Sequence, residues 1–98
     1  MPHVRLSARA QSDIFRLQAL LLEKDSNSAK RAVLAIREAF MPLKQSHMIG
    51  RPVEGYGDFR ELVIDFGAAG YLALYCFEPS LDVVTILAIK HQREDDYK

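Results

Sequence analysis

The sequence contains no tryptophan, a single cysteine and no excess of charge of either sign. Cys76 has no partner for an internal disulfide and lies in the apolar run 71–77. We interpret it as a buried structural thiol, because reactive thiols need accessible and electropositive surroundings. Thirteen Lys and Arg residues balance thirteen Asp and Glu residues. Such a chain has no overall field that attracts nucleic acid, so any contact of that kind requires a local basic patch.

Long apolar runs are also missing. No stretch approaches the roughly 18 apolar residues of a membrane span. The first five residues lead into an amphipathic pattern, not into the apolar segment of a signal peptide. We therefore expect a cytoplasmic protein without a membrane anchor. A chain of 98 residues, 49% of them hydrophobic, predicts a single domain that spans residues 1–98 around one core.

The residue types that bind metals and cofactors are sparse. His3, His47 and His91 are widely separated, and no second cysteine accompanies them, so the sequence predicts no metal site. It contains neither a Walker phosphate loop nor a G-x-S-x-G nucleophile turn. The glycines of 67–70 are typical of a hairpin turn. No cofactor is implied.

The first half of the chain has helical periodicity. Residues 3–6 alternate as in a strand, and Ser7 is a suitable N-cap for a helix that begins at Ala8. Its apolar stripe consists of Ile14, Leu17 and Leu21, with Asp13 and Arg16 lying elsewhere. Residues 25–28 predict a turn, and a second helix carries an apolar face from Ala29 to Leu43, with an end or kink at Pro42. The two helices are expected to form an antiparallel hairpin.

Beyond a predicted loop at 44–57, the apolar period changes to two. Strands are predicted over 58–66, 71–77 and 82–90, joined by turns at 67–70 and 78–81. The predicted fold class is therefore α+β: an N-terminal strand, the helical hairpin, and a three-strand antiparallel meander that forms one sheet. By parity Arg60 shares the apolar face of its strand, so it must reach the sheet rim, pair with a carboxylate or line a site.

The residues after the last predicted strand, 90–97, form the most polar segment of the chain. The segment contains Lys90, His91, Arg93 and Tyr97. The acidic residues 94–96 stand between Arg93 and Tyr97. The segment is either a solvated tail, in which opposite charges pair weakly, or a cluster that holds a charged ligand. Composition favours the tail.

The order of motifs is similar to that of the RelE/ParE toxin family of type II bacterial toxin–antitoxin systems, and it covers nearly the whole chain. The matching pieces are Leu6-Ser7-Ala8-Arg9-Ala10-Gln11-Ser12-Asp13-Ile14, Gly50-Arg51-Pro52-Val53, Phe59-Arg60-Glu61-Leu62, Gly70-Tyr71-Leu72-Ala73-Leu74-Tyr75 and the run 84–94. Each piece is weak alone. Five in the right order identify the family.

The resemblance implies a toxin that causes growth arrest and is masked by a cognate antitoxin, ParD-like or RelB-like, in a hetero-oligomer. Such systems include plasmid-stabilisation modules. RelE-like members cleave mRNA on the ribosome with basic and aromatic residues, whereas ParE-like members poison DNA gyrase. Carried over to this chain, Arg60, His91, Arg93 and Tyr97 match the catalytic set of an endoribonuclease. The residues expected to bind the target or the antitoxin are Arg51, Arg60, Lys90 and Arg93.

Three features favour the ParE-like branch. The chain is neutral where RNA-cleaving members are basic, Glu54 and Asp58 stand where those members tend to carry lysine, and Glu94-Asp95-Asp96 lies beside Arg93. We therefore predict a non-enzymatic gyrase inhibitor that acts by protein contact. A ribosome-dependent mRNA endoribonuclease is the alternative, and a degenerate toxin that only binds its antitoxin is a third.

Overall fold

The N-terminal strand and the first helix are joined at Ser7 in the computed structural model, which describes residues 2–97. Strand β1 covers His3–Leu6 and helix α1 covers Ala8–Leu22. The Ser7 hydroxyl accepts a hydrogen bond from the Ala10 amide at 3.0 Å and donates one to the Leu87 carbonyl at 3.0 Å. The predicted N-cap is thus confirmed, and it also joins the helix to the sheet.

Helix α2 begins earlier than the sequence predicted. It covers Ser26–Phe40, so residues 26–28 are its first turn and not part of the connection. The Asp25 carboxylate accepts hydrogen bonds from the Asn27 amide at 3.0 Å and the Ser28 hydroxyl at 2.8 Å. A cap-forming aspartate followed by three small polar residues starts a helix as readily as it makes a turn. A short 3₁₀ helix, Met41–Lys44, follows α2 and contains Pro42, where the predicted interruption lies.

The second half forms four strands. Strands β2, β3, β4 and β5 cover Arg51–Pro52, Arg60–Phe66, Ala69–Glu78 and Val83–His91. The predicted antiparallel meander is confirmed as β3–β4–β5.

The complete sheet differs from the prediction in two respects. It has five strands in the order β1-β5-β4-β3-β2, and β1 pairs with β5 in parallel, so the sheet is mixed. In addition, β2 lies within the predicted 44–57 loop and pairs with β3. Residue alternation shows which face of a strand is buried, but it does not show which neighbour supplies its hydrogen bonds.

Both helices pack against one face of this sheet, and the core lies between the two layers. Its largest fully buried side chains are Tyr75, Ile36, Leu43, Ile86, Ile89 and Val84. The opposite face, here called the open face, carries side chains such as Arg51, Glu61 and Lys90. Neither helix within residues 2–97 combines the length and the apolar character needed to cross a membrane.

Candidate functional site

The four residues predicted as a catalytic set lie apart. Arg60 pairs with Tyr75 and His91 pairs with Tyr71, so four residues of β4, about 13 Å, separate the two positions. Both belong to the face that the helices cover. Tyr97 contacts the open face, and Arg93 is exposed in the turn after β5. The sheet therefore separates Tyr97 from Arg60 and His91. The four side chains do not converge on a single site.

Arg60 holds a loop in place. One guanidinium nitrogen donates to the carbonyl of Gly50 at 2.6 Å and to that of Met48 at 3.3 Å. The buried Tyr75 hydroxyl accepts from the Gly50 amide at 2.8 Å and donates to the His47 carbonyl at 2.7 Å. Among the described residues, no carboxylate forms an ion pair with Arg60. Its guanidinium bonds to backbone carbonyls and lines a surface cavity of about 320 Å³ together with His47 and Met48, which corresponds to the third placement predicted from the sequence.

The open face brings together a second group of polar residues, the Glu61 cluster: Arg51, Glu61, Lys90 and Tyr97. Arg51 Nε donates to Glu61 Oε1 at 3.0 Å, and the Tyr97 hydroxyl donates to Glu61 Oε2 at 2.7 Å. Lys90 Nζ lies 5.0 Å from the centre of the Tyr97 ring, which is a cation–π contact. Arg51, Lys90 and Tyr97 were singled out in the sequence. Glu61, which joins them, appeared in the sequence only within the matching piece Phe59-Arg60-Glu61-Leu62.

Hydrogen bonding determines the ionisation of this cluster. Burial opposes the charge on Glu61, but hydrogen bonds from Arg51 and Tyr97 outweigh it and lower the pKa of that carboxyl. Burial and the bond to Glu61 raise the pKa of the Tyr97 phenol far above its usual value. The carboxylate is therefore ionised and the phenol neutral near pH 7. A phenol that already donates to a carboxylate is poorly suited to accept a proton from a ribose hydroxyl.

The turn after β5 is fixed by one carboxylate. Glu94 Oε1 accepts from the His91 amide at 2.8 Å, and its Oε2 accepts from Arg16 of α1 at 2.9 Å. His91 Nδ1 accepts from the Arg93 amide at 3.1 Å. Glu94 thus has a structural role in joining α1 to the end of the sheet. The predicted solvated tail is an ordered turn, and Arg16 is not the freely exposed residue that the helical pattern indicated.

Beside this turn lies an apolar groove of about 640 Å³ between α1 and the end of the sheet, which we call the Leu20 groove. Its apolar walls are Leu17, Leu20, Leu21, Phe66 and Tyr71, and its rim carries Arg16, Glu23, Lys24, His91, Arg93 and Glu94. Leu20 is 54% exposed. The sequence signal was a leucine outside the buried stripe of α1, and pattern reasoning passed over it.

Charge is distributed unevenly in spite of the overall balance. Residues 8–44, which comprise both helices, carry seven Lys and Arg against four Asp and Glu, a net charge of +3. Residues 45–97 carry four against nine, a net charge of −5. Among residues 2–97, the Lys and Arg side chains on the open face are also engaged: Arg5 with Glu78, Arg51 with Glu61, and Lys90 with Tyr97. The sheet half of the molecule is thus a poor attractor of phosphate.

Two further residue types bear on chemistry. Cys76 is half-buried, and burial followed by the nearby Glu78 raises the pKa of its thiol, which keeps it protonated at neutral pH. The sequence predicted a buried thiol, and the structure places it less deeply than predicted. Among residues 2–97, no three His, Cys, Asp or Glu side chains are grouped so that they could hold a metal ion.

Comparison with known proteins gives consistent matches in sequence and in fold. Residues 4–96 match the family model described as the ParE toxin of the type II toxin–antitoxin system parDE. The chain is 35% identical over 94 residues to a curated protein of Caulobacter vibrioides named Toxin RelE3, covering 96% of this chain and 98% of the relative.

Solved structures share the fold. The chromosomal ParDE TA system of P. aeruginosa superposes with a TM-score of 0.79 at 22% identity, covering 93% of this chain and 96% of that one. The intact E. coli RelBE toxin–antitoxin complex gives a TM-score of 0.64 at 12% identity, with coverage of 96% and 100%. At these identities the likeness shows the fold alone. It extends to a ParDE structure and to a RelBE structure.

Proposed function

Since the chain belongs to the ParE toxin family of type II toxin–antitoxin systems, we propose that it inhibits DNA gyrase through protein–protein contact and that a cognate antitoxin neutralises it. The sequence resemblance supplies the gyrase target. The E. coli structure with the same fold is a toxin–antitoxin complex, which supports an antitoxin as the partner of this chain.

The observation that carries the proposal is the bond between Tyr97 and Glu61. In an RNA-cleaving toxin, an aromatic or basic side chain promotes attack by a ribose hydroxyl, and nearby cations stabilise the phosphate. Here the Tyr97 phenol donates to a carboxylate at 2.7 Å, and the same carboxylate neutralises Arg51. One carboxylate thus engages both the phenol that would promote the attack and a cation that would hold the phosphate.

The positions of the remaining candidates support the same conclusion. One guanidinium nitrogen of Arg60 is bonded to loop carbonyls, and His91 and Tyr97 lie on opposite faces of the sheet. General acid–base catalysis requires the participating groups within hydrogen-bond reach of one reacting site. An inhibitor that acts by contact has no such requirement.

The experiment is a supercoiling and cleavage assay with purified gyrase, ATP and plasmid DNA. We expect lost supercoiling and trapped double-strand breaks, both of which disappear when the antitoxin is added before the toxin. Tyr97→Phe should be as active as the unmodified chain, because it removes only the hydroxyl group and keeps the ring. Unchanged supercoiling by a folded protein, together with codon-dependent mRNA cleavage on ribosomes that Tyr97→Phe abolishes, would refute the proposal in favour of the endoribonuclease.

A further inference from the structure

We propose that the outer face of the helical hairpin is the surface with which this toxin contacts gyrase. The inference rests on the proposed function and adds to it the part of the molecule that docks. The surface, here called the hairpin face, combines exposed apolar side chains with cations that form no ion pair with another of the described residues. Its members are Phe15 and Leu22 on α1, Lys30, Leu34 and Arg37 on α2, and Met41 directly after α2.

The apolar members form two stripes. Phe15 and Leu22 are 74% and 51% exposed and lie seven residues apart on α1. Leu34 and Met41, 55% and 56% exposed, have the same spacing, and Met41 still has helical backbone angles. Seven residues are two helical turns, so each pair lies on one side of its helix. Apolar side chains grouped at this exposure are typical of a protein-binding surface.

A groove of about 220 Å³ joins the two helices on this face. Phe15 lines its α1 side and Arg37 its α2 side, and Arg37 is the only charged residue among those that line it. The apolar and the basic members therefore border one depression. None of its lining residues lines the Leu20 groove. Phe15 and Leu20 project about 140° apart around the axis of α1, so the two grooves are separate surfaces.

The hairpin face carries net positive charge. Lys30 and Arg37 are also seven residues apart, which places them on one side of α2 next to Leu34. Arg31 and Glu38 border the outer side of Leu34, and their charges offset each other. A partner surface with carboxylates around an apolar centre would be favoured here, and a basic one would be disfavoured.

The charge asymmetry of the whole molecule determines how it meets gyrase. Residues 8–44 carry a net charge of +3 and residues 45–97 a net charge of −5. Gyrase holds DNA while it acts, and DNA is a dense array of negative charge. This field attracts the helical half of the toxin and repels the sheet half, so the toxin approaches the gyrase–DNA complex with the hairpin face first. The apolar stripes then contact the gyrase protein.

The first test replaces one apolar residue of each stripe. Phe15→Glu with Leu34→Glu changes two side chains that are more than half exposed, so the core is left intact. The matched control is Tyr56→Glu with Leu81→Glu, an aromatic residue and a leucine of the sheet half that are 61% and 58% exposed. Both pairs add the same charge. The readout is the toxin concentration that gives half-maximal trapping of gyrase-mediated breaks in plasmid DNA.

We expect the hairpin pair to raise that concentration by roughly 30-fold or more, as for the loss of interface anchors, and the control pair by less than about threefold. Melting curves of each variant, followed by circular dichroism, check the fold. A second variant, Lys30→Glu with Arg37→Glu, tests the charge. It should raise the half-maximal concentration about tenfold in about 50 mM salt and much less in about 300 mM salt, because salt screens the attraction.

Several results would overturn the inference. One is equal inhibition by the unmodified chain and the folded hairpin pair, and another is an equal loss in the control pair. A hairpin pair that inhibits gyrase fully but no longer binds the antitoxin would assign the face to the antitoxin, and altered sedimentation of the toxin alone would assign it to a second copy.

Retention of the toxin by plasmid DNA without gyrase, lost in Lys30→Glu with Arg37→Glu, would assign the hairpin face to DNA and would likewise overturn the inference. The proposed function fails in a different way. In that case the unmodified chain leaves gyrase unaffected, whereas failure of this inference alone leaves the unmodified chain active and the hairpin variants equally active.

Discussion

The carboxylate of Asp13 accepts a hydrogen bond from the backbone amide of Ile89 at 2.8 Å, although the two residues are 76 positions apart. Strand β1 covers the edge of β5 only as far as Ile86. Beyond that point, Ser7 and Asp13 of the first helical turns satisfy the Leu87 carbonyl and the Ile89 amide. The start of α1 thus continues the hydrogen bonding of β1 with side chains, which protects an otherwise open strand edge.

Replacing Asp13 should therefore destabilise the fold. Asp13→Ala leaves a buried amide unsatisfied and removes one ion-pair partner each from Arg9 and Arg16, so we expect a loss of about 2–3 kcal/mol in the free energy of unfolding. Urea denaturation measures it. The exposed neighbour Ser12 supplies the control, since Ser12→Ala should change stability by less than about 0.5 kcal/mol. Equal denaturation midpoints for the two variants would contradict this account.

Gly70 allows the backbones of β3 and β4 to approach closely at the start of β4. A Cβ atom there would clash with the Ile64 carbonyl oxygen, so β3 and β4 would have to separate. We expect Gly70→Ala to cost about 2 kcal/mol and to lower the melting temperature, because the clashing atoms belong to the Ile64 backbone, which cannot move aside as a flexible side chain can. Ala68→Ser, in the exposed turn beside it, should melt within a degree or two of the unmodified chain. Comparable melting of both variants would disprove the steric explanation.

The Glu61 cluster should make stability fall in acid. The pKa of Glu61 is lower in the folded state than its usual value of 4.5. Its contribution is therefore present above that value and is lost as the pH falls through the lower, folded-state pKa. Glu61→Gln should reduce the slope of stability against pH between about pH 5 and pH 3. If the slopes of the two proteins coincide, Glu61 does not carry this linkage.

Tyr97 should contribute to stability and not to activity. Removing its hydroxyl in Tyr97→Phe breaks the bond to Glu61 and should lower the free energy of unfolding by about 1 kcal/mol, with growth inhibition in cells unchanged. Tyr56→Phe is the matched control, because Tyr56 is 61% exposed. A folded Tyr97→Phe protein that no longer inhibits growth would show that the phenol takes part in the toxic reaction.

Much of the fold could be predicted from the chain because the relevant signals are local. Alternation indicated β1 and the three strands of the meander, the spacing of Ile14, Leu17 and Leu21 indicated the buried side of α1, and Ser7 marked its start. The errors have local causes too. Asp25 and the small polar residues after it are compatible with either a turn or a helix start, and the two residues of β2 are too few for a period to be recognised.

The site was harder to predict because its residues belong to distant segments that only the folded sheet brings together. Tyr97 and Glu61 are 36 positions apart, and nothing in either segment indicates that the C-terminal turn crosses the open face. Asp13 was expected outside the buried stripe, since helical periodicity assigns polar residues to solvent. It is buried because an uncovered strand edge requires an acceptor at that point.

By itself, therefore, the sequence determined the class of fold, the Ser7 cap, the balance of charge and the family resemblance, all of which depend on residue type and short spacing. Only the tertiary structure decided the parallel pairing of β1 with β5, the separation of Arg60, His91, Arg93 and Tyr97, and the Leu20 groove. Those features arise where distant segments supply one another's missing hydrogen bonds or leave apolar surface uncovered. Which segments meet is fixed by packing, not by periodicity.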